Sequence, residues 1–315
     1  MKLNKRKIWI LAIAFVILAA LPPVVVALEE EFYLTLISRV MIFAIAALSL
    51  DLILGFGGMI SFGHAAYIGL GAYAVGVLSF HGIDNGFVHL IVAILGSALI
   101  ALIIGAICLR TSGIYFIMIT LAMTQLLFFL GISLETYGGD DGLPTDRSKF
   151  FEFFDINDAV NLYYLIFGLM VLSAYISWRI INSHFGMVIR GSQENDTRMQ
   201  AIGFSTFRYK LLAFIISGSM CGVAGFLLAN LTEFVTPDFM HWFRSGEIMI
   251  MVLVGGMGTL FGPMFGAAAF LLFEEGISNI TEHWMVFFGP LLVLLVLFAK
   301  QGLWGFLSTS KKSDG

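Results

Sequence analysis

The chain has 315 residues, 59% of them hydrophobic and only 12% charged. Soluble domains carry about 25% charged residues, and a mean hydropathy of +0.95 leaves more apolar surface than one water-soluble core can bury, so a soluble globular protein is excluded. The net charge of −4 offers no basic footprint for nucleic acid, and the two cysteines, Cys108 and Cys221, sit in apolar runs without CxxC spacing, which excludes a disulfide framework or a redox pair.

The N-terminus, Met1 to Lys7, is basic and leads into the apolar run 8–28. A secretory core spans about 7–15 residues. The longer run here reads as a retained first membrane span, although Val25-Val26-Ala27 could serve as a cleavage site. A membrane helix needs roughly 20 apolar residues. Apolar runs place further spans near 36–54, 60–80, 88–109, 113–132, 161–181, 209–229, 245–256, 263–280 and 284–300. The third is crowded with glycine and the eighth is short, so either can be broken or re-entrant. The expected fold class is therefore all-α: a polytopic helical membrane protein of eight to ten spans with broken or glycine-rich helices, forming one membrane domain over residues 1–315.

Basic residues collect in cytoplasmic loops. With ten alternating spans and a cytoplasmic N-terminus, 13 of the 17 Lys and Arg fall inside. Arg39, Arg147, Lys149 and Arg244 fall outside, together with the acidic run Glu29 to Glu31 and Asp140, Asp141, Glu152, Asp155 and Asp158. This asymmetry predicts both termini in the cytoplasm, an acidic external loop at 133–160 and a cytoplasmic loop at 182–208.

Two glycine clusters need a physical reason. One runs from Gly55 through Gly57, Gly58 and Gly63 to Gly69 and Gly71; the other holds Gly255, Gly256, Gly258, Gly262 and Gly266 around Pro263. Glycine permits close helix contact and non-helical turns. Both clusters are expected to break helices where a solute passes, and their shared Gly-Gly-Met start hints at a weak repeat. The ridge Gly258, Gly262, Gly266 and the pair Gly218, Gly222 have the four-residue step of close packing, with Pro263 expected to interrupt the first.

Ionisable groups within the bilayer are functional candidates. Asp51 lies near the inner end of the second span, His64 opens the third, and Glu247 opens the eighth. For Asp51 and Glu247 a polar path and a structural hydrogen bond to a neighbouring helix are both open; for His64 the plain alternative is a bond to a backbone carbonyl. Glu274 and Glu275 are expected at an interface, facing water. Thr120, Thr124 and Gln125 form a polar stripe that lines a path or ties helices. Ser61 and His64 have the spacing of a nucleophile and its base, but no oriented third group, GxSxG elbow or HExxH motif accompanies them.

In the 182–208 loop, Ser192 is placed to cap a helix starting at Gln193. Glu194 and Arg198 would then pair at i and i+4, and Gly203 would end the helix. Such an amphipathic helix either lies on the membrane or docks in a groove of a partner. No glycine is followed by lysine, so the phosphate-binding loop GxxxxGK[ST] is absent.

The stretch from Leu48 through Asp51 and Gly55-Phe-Gly-Gly-Met-Ile-Ser61-Phe-Gly-His64 to Tyr73 resembles permeases of branched-chain amino-acid ABC importers. So do Leu109 to Phe116, Gly138 to Gly142, Ile189 to Gly203, Tyr209 to Phe214 and Leu253 to Pro263. These run in order over residues 40 to 300. The resemblance implies a half-pore in the bacterial inner membrane, without an enzyme site of its own. Its implied partners are a second related permease, two cytoplasmic ATP-binding subunits that hold the ATP, an external solute-binding protein and the lipid. It implies coupling to the ATPase through Glu194, Asn195 and Gly203, although relatives carry Glu-Asn-Glu where this chain reads Gln193-Glu194-Asn195-Asp196. Solute-path candidates are Asp51, Ser61, His64, Glu247, Gly255, Gly256 and Gly258. Branched-chain or other hydrophobic amino acids are the implied solutes, with urea, amides or aromatic carboxylates next. A stand-alone channel or an ion-coupled carrier is the rival reading.

Overall fold

Helices make up most of the computed structural model, which describes residues 5–27, 31–150, 155–278, 289 and 302–306. Six of them are long and apolar enough to cross a membrane: α1 (Lys5–Ala27), α2 (Glu31–Leu54), α4 (Gly86–Cys108), α5 (Ile114–Ser133), α6 (Ala159–Ile181) and α9 (Thr206–Thr232). Three shorter helices, α3 (His64–Phe80), α10 (Trp242–Gly255) and α11 (Gly262–Ser278), stand where the third, eighth and ninth spans were expected. The expected span 284–300 lies outside the described residues. The protein is thus a polytopic helical membrane protein.

Two helices form the centre. In α2, 89% of the apolar window is buried inside the protein, and in α9 72% is, against 17% in α1. α9 can be central because its packing face is small. Gly218 lies against Ala101 and Tyr67, Gly222 against Ser97, and Gly225 against the backbone of Ile68. Gly71 of α3 meets the Gly222 carbonyl. The Gly218 and Gly222 pair therefore packs helices closely, as its spacing predicts. The two cysteines are buried and unpaired.

The bundle has two ends. At one, α7 (His184–Glu194) and α8 (Asp196–Ala201) lie beside the α4–α5 turn and the turn after α2. α7, the two turns and the start of α9 border a cavity of about 230 Å³ that touches Gly58, Ser112, Gln193 and Lys210. At the other, the strands β1 (Leu143–Pro144) and β2 (Phe234–Val235) pair antiparallel. Ion pairs fasten the loops there: Lys149 to Asp84 at 2.8 Å and Arg147 to Glu233 at 2.9 Å.

α3 lies along α9 and runs in the same direction, from His64 beside Ser217 to Gly76 beside Val235. Ser217 sits near the middle of α9 and also bonds the Ser49 carbonyl of α2. α3 therefore begins deep in the bundle. Its 17 residues rise about 25 Å at 1.5 Å per residue, less than a bilayer core of about 30 Å. Residues 55–63 supply the rest of that crossing without helix.

Candidate functional site

Non-helical backbone at membrane depth must have every N–H and C=O satisfied by protein or water. The 55–63 segment and the first turn of α3 are supplied from three neighbours, α2, α5 and α10. Gly55 and Phe56 N–H donate to the Asp51 carbonyl, which extends the end of α2. Phe62 N–H donates to Thr120 Oγ1 at 3.2 Å, and its carbonyl accepts from Thr124 Oγ1 at 3.0 Å. Gly63 N–H donates to Ser61 Oγ, and Ala65 N–H donates to Ser245 Oγ of α10. The threonine stripe on α5 is therefore glue for a broken backbone.

The second break, residues 256–261, separates α10 from α11. Gly258 has φ +72, a left-handed conformation that suits glycine. It lies outside both helices, so the expected ridge Gly258–Gly262–Gly266 loses its first member. Gly266 does pack on the Met251 carbonyl and Gly255, and Gly255 packs on the Gly262 carbonyl. Pro263 does not interrupt a helix. It occupies the first turn of α11, where the missing N–H has no partner to lose.

Asp51 joins the two breaks across 207 residues: its Oδ1 accepts from Gly258 N–H at 2.8 Å. A Cβ on Gly55 would collide with that carboxylate and with Gly258. Asp51 is thus a helix-to-turn clamp, with Oδ2 buried and without a partner among the described residues. Gln193 completes the contact from α7. Its Nε2 donates to the Gly55 carbonyl at 3.3 Å, and its side chain lies against Gly58.

His64 is fully buried, and its partner is not the carbonyl expected. Its Nε2 lies 2.7 Å from Ser217 Oγ, and Ser217 Oγ–H donates to the Ser49 carbonyl. A hydroxyl has one proton, so Ser217 accepts from His64 Nε2–H. His64 Nδ1 is left as a lone-pair acceptor without a partner among the described residues. Ser61 is committed to Gly63 N–H, so the weighed Ser61–His64 pair is not formed.

Glu247 is separate from this group. It is buried and accepts from Arg244 Nη1 at 2.9 Å, one turn earlier on α10. Glu274 is a correction as well. Instead of facing water at an interface, it pairs with Arg39 of α2 at 3.4 Å with its side chain 18% exposed. Sequence reasoning passed over both arginines as external loop charges. The available signal was position, because Arg39 stands inside the predicted span 36–54.

At the α7 end the expected cap is corrected. Ser192 lies within α7, buried, and donates to the Ile189 carbonyl. The cap belongs to Asn195, whose Oδ1 accepts from Arg198 N–H at 2.9 Å. Asn195 is extended, with φ −157 and ψ 101, so Glu194 closes one helix and Arg198 lies in the next. Their expected i, i+4 pairing is therefore absent. Gly203, with φ +97, stops α8 as its place in the loop predicts. Glu194, Asn195 and Gly203 are all exposed. Asp196 is held by Lys210 of α9 at 3.0 Å.

Residues 32–297 match the family model described as branched-chain amino acid transport system / permease component. The chain belongs to that family. This permease is 30% identical over 288 residues to the high-affinity branched-chain amino acid transport system permease protein LivM of Salmonella typhimurium, covering 84% of this chain and 68% of that one. It is 28% identical to the LivM of Escherichia coli K12, over 95% of this chain and 75% of the relative. It is also 23% identical to the LivH permease of the same strain, over 84% and 91% of the two chains. No solved structure gives a significant match. The matched range contains both glycine breaks, the Asp51 clamp and α7–α8.

Proposed function

We propose that this permease is one of two transmembrane halves of an ATP-driven importer for branched-chain or other hydrophobic amino acids in the bacterial inner membrane. The observation that supports it best is Gln193. It sits one residue before the exposed Glu194 and reaches the Gly55 carbonyl beside the Asp51–Gly258 clamp. A partner that pushed on α7 would act directly on both helix breaks.

In this reading both termini and the α7 end are cytoplasmic. Two ATP-binding subunits hold all of the ATP and dock on α7–α8, where Glu194, Asn195 and Gly203 lie beside the exposed Met187 and Ile202. Apolar anchors rimmed by polar groups suit a protein interface. A second, related permease completes the pore, and likeness to both LivM and LivH fits a pair of unlike halves. A solute-binding protein delivers the amino acid to the strand end. Lipid surrounds the exposed apolar faces of α1, α4 and α5. Asp51, Ser61, His64, Gly255, Gly256 and Gly258 support the path as the parts that hold the two breaks.

The test is purification of the tagged chain from its native membrane in mild detergent, followed by reconstitution. Recovery of two ATP-binding polypeptides and a second polytopic chain, with leucine uptake that needs ATP, is expected. Uptake by this chain alone that collapses with the proton gradient would overturn the importer in favour of an ion-coupled carrier.

A further inference from the structure

A cavity of about 360 Å³ opens between α2, α3, α9 and the start of α10, within the size range of small-molecule pockets. Its wall carries Arg39 and Arg244 together with Phe43, Ile68, Leu228 and Leu231. Among the described residues the charged part of the wall is positive, because the two carboxylates that pair with the arginines, Glu274 and Glu247, do not line the space. The apolar part comes from three different helices.

Among the described residues neither guanidinium is used up by its partner. A guanidinium has five N–H donors. Arg39 makes one contact with Glu274, at 3.4 Å, and Arg244 makes one with Glu247, at 2.9 Å. Their side chains are 35% and 36% exposed. The four charges form one group, since Arg39, Glu247 and Arg244 all act on the Glu274 carboxylate. Arg39 also stands 6.0 Å from the Phe43 ring, which orients it toward the apolar wall. The level of the cavity follows from its neighbours. Ile68 packs on Gly225, and Ser245, next to Arg244, bonds Ala65. The cavity therefore reaches from the last residue of α9, Thr232, about two turns inward to the level of Gly225. Charge at such depth is costly and is retained where it meets a ligand, a partner charge or water. Two guanidinium forks beside a short aliphatic wall match a carboxylate on a small branched apolar body, because a fork donates to both carboxylate oxygens.

We infer that this cavity binds the carboxylate of a short branched aliphatic acid, with Arg39 and Arg244 holding the head and Ile68, Leu228 and Leu231 receiving the tail. This rests on the import reading, in which the bound acid is the amino acid in transit. The same positive, apolar pocket could also take the phosphate of an anionic lipid, and the experiment separates the two.

The variant Leu231→Cys is made in the full chain within the assembled membrane complex. Cys108 and Cys221 are buried, so a polar maleimide reports position 231. Labelling is measured with leucine, with 4-methylpentanoate, which keeps the carboxylate and tail, and with isoamylamine, which lacks the carboxylate. Leucine and 4-methylpentanoate should slow labelling several-fold, and isoamylamine should not. The charge-balanced double variant Arg39→Gln with Glu274→Gln should abolish that protection while the complex still elutes as a folded assembly. Equal protection by isoamylamine, or protection unchanged in the double variant, overturns the site. Labelling that depends only on phosphatidylglycerol in the surrounding nanodisc overturns it in favour of a lipid headgroup. Leucine uptake that persists without any protection overturns the site and leaves the importer standing. Protection without ATP-driven uptake supports the site and counts against the importer.

Discussion

The two ends of the bundle are held together by opposite means. Toward the α7 end, the breaks at 55–63 and 256–261 meet backbone to backbone, with one carboxylate and one glutamine as the fasteners. Toward the strand end, α2 and α11 meet through the Arg39–Glu274 pair, and Arg244 pairs with Glu247 within α10, all beside a cavity. A contact without side chains has no slack, because any added atom must displace main chain. Ion pairs beside a cavity can exchange partners without moving a helix. The difference assigns rigidity and transmitted motion to one region, and adaptable recognition to the other.

The sharpest way to break this comparison is to add volume on each side. Gly55→Val would drive its side chain into Asp51 and Gly258. It should destabilise the protein by about 3 kcal/mol, the upper part of the usual overpacking range, with little folded material recovered by size-exclusion chromatography. A matched Thr35→Phe, which adds a similar bulk at the cavity mouth, should be nearly silent. Equal yields from both would show that the two ends do not differ in slack.

Next in size is the clamp itself. Asp51→Ala leaves the Gly258 N–H without its acceptor and should cost about 2 kcal/mol, within the range for an orphaned buried donor. Asp51→Asn retains Oδ1 and should recover most of that loss. A thermal melt in detergent decides between them, and equal losses would mean that the negative charge, not the hydrogen bond, is what matters.

The coupling end should respond more weakly in stability. Asn195→Ala removes the α8 cap and should cost about 1 kcal/mol, seen as faster hydrogen exchange confined to 196–203. Smallest in stability, and most informative about function, are Gln193→Ala and Glu194→Lys. Both residues are exposed, so each should shift the melt by no more than about 0.5 kcal/mol. Both should lower transport-linked ATP hydrolysis in the assembled importer. Unchanged coupling in both variants would remove α7 as the contact and leave Gln193 a local fastener.

Much of the fold can be read along the chain. Hydropathy places nine of the ten expected spans on helices, because a bilayer requires long apolar runs with internal hydrogen bonding. The breaks are legible for the same local reason, since glycines cluster where the backbone leaves the helix. The α7 loop was legible only in outline. A serine and an asparagine three residues apart are both good caps, and the burial of Ser192 by the bundle leaves the capping position to Asn195.

The candidate site was half legible. Asp51, His64 and Glu247 stand out because ionisable groups are rare in apolar spans. The partners of Asp51 and His64 are remote, Gly258 and Ser217, as Arg39 is for Glu274, whereas Glu247 pairs with Arg244 one turn away on its own helix. A weakly conspicuous serine such as Ser217 or Ser245 carries no local sign that it will satisfy a broken backbone 180 residues away.

By itself the sequence determined that this is a helical membrane protein, where its apolar helices run and where glycine breaks them, since each depends on a few neighbouring residues and the surrounding solvent. The tertiary structure alone decided which helices stand at the centre. α1 and α4 are the most apolar of the six long helices and lie mostly at the periphery, whereas the less apolar α2 and α9 are the most buried. Lipid rewards apolar surface as well as a protein interior does, so hydropathy cannot rank depth. Close packing of small residues and pairing of remote polar groups set it instead, and these exist only once the chain has folded.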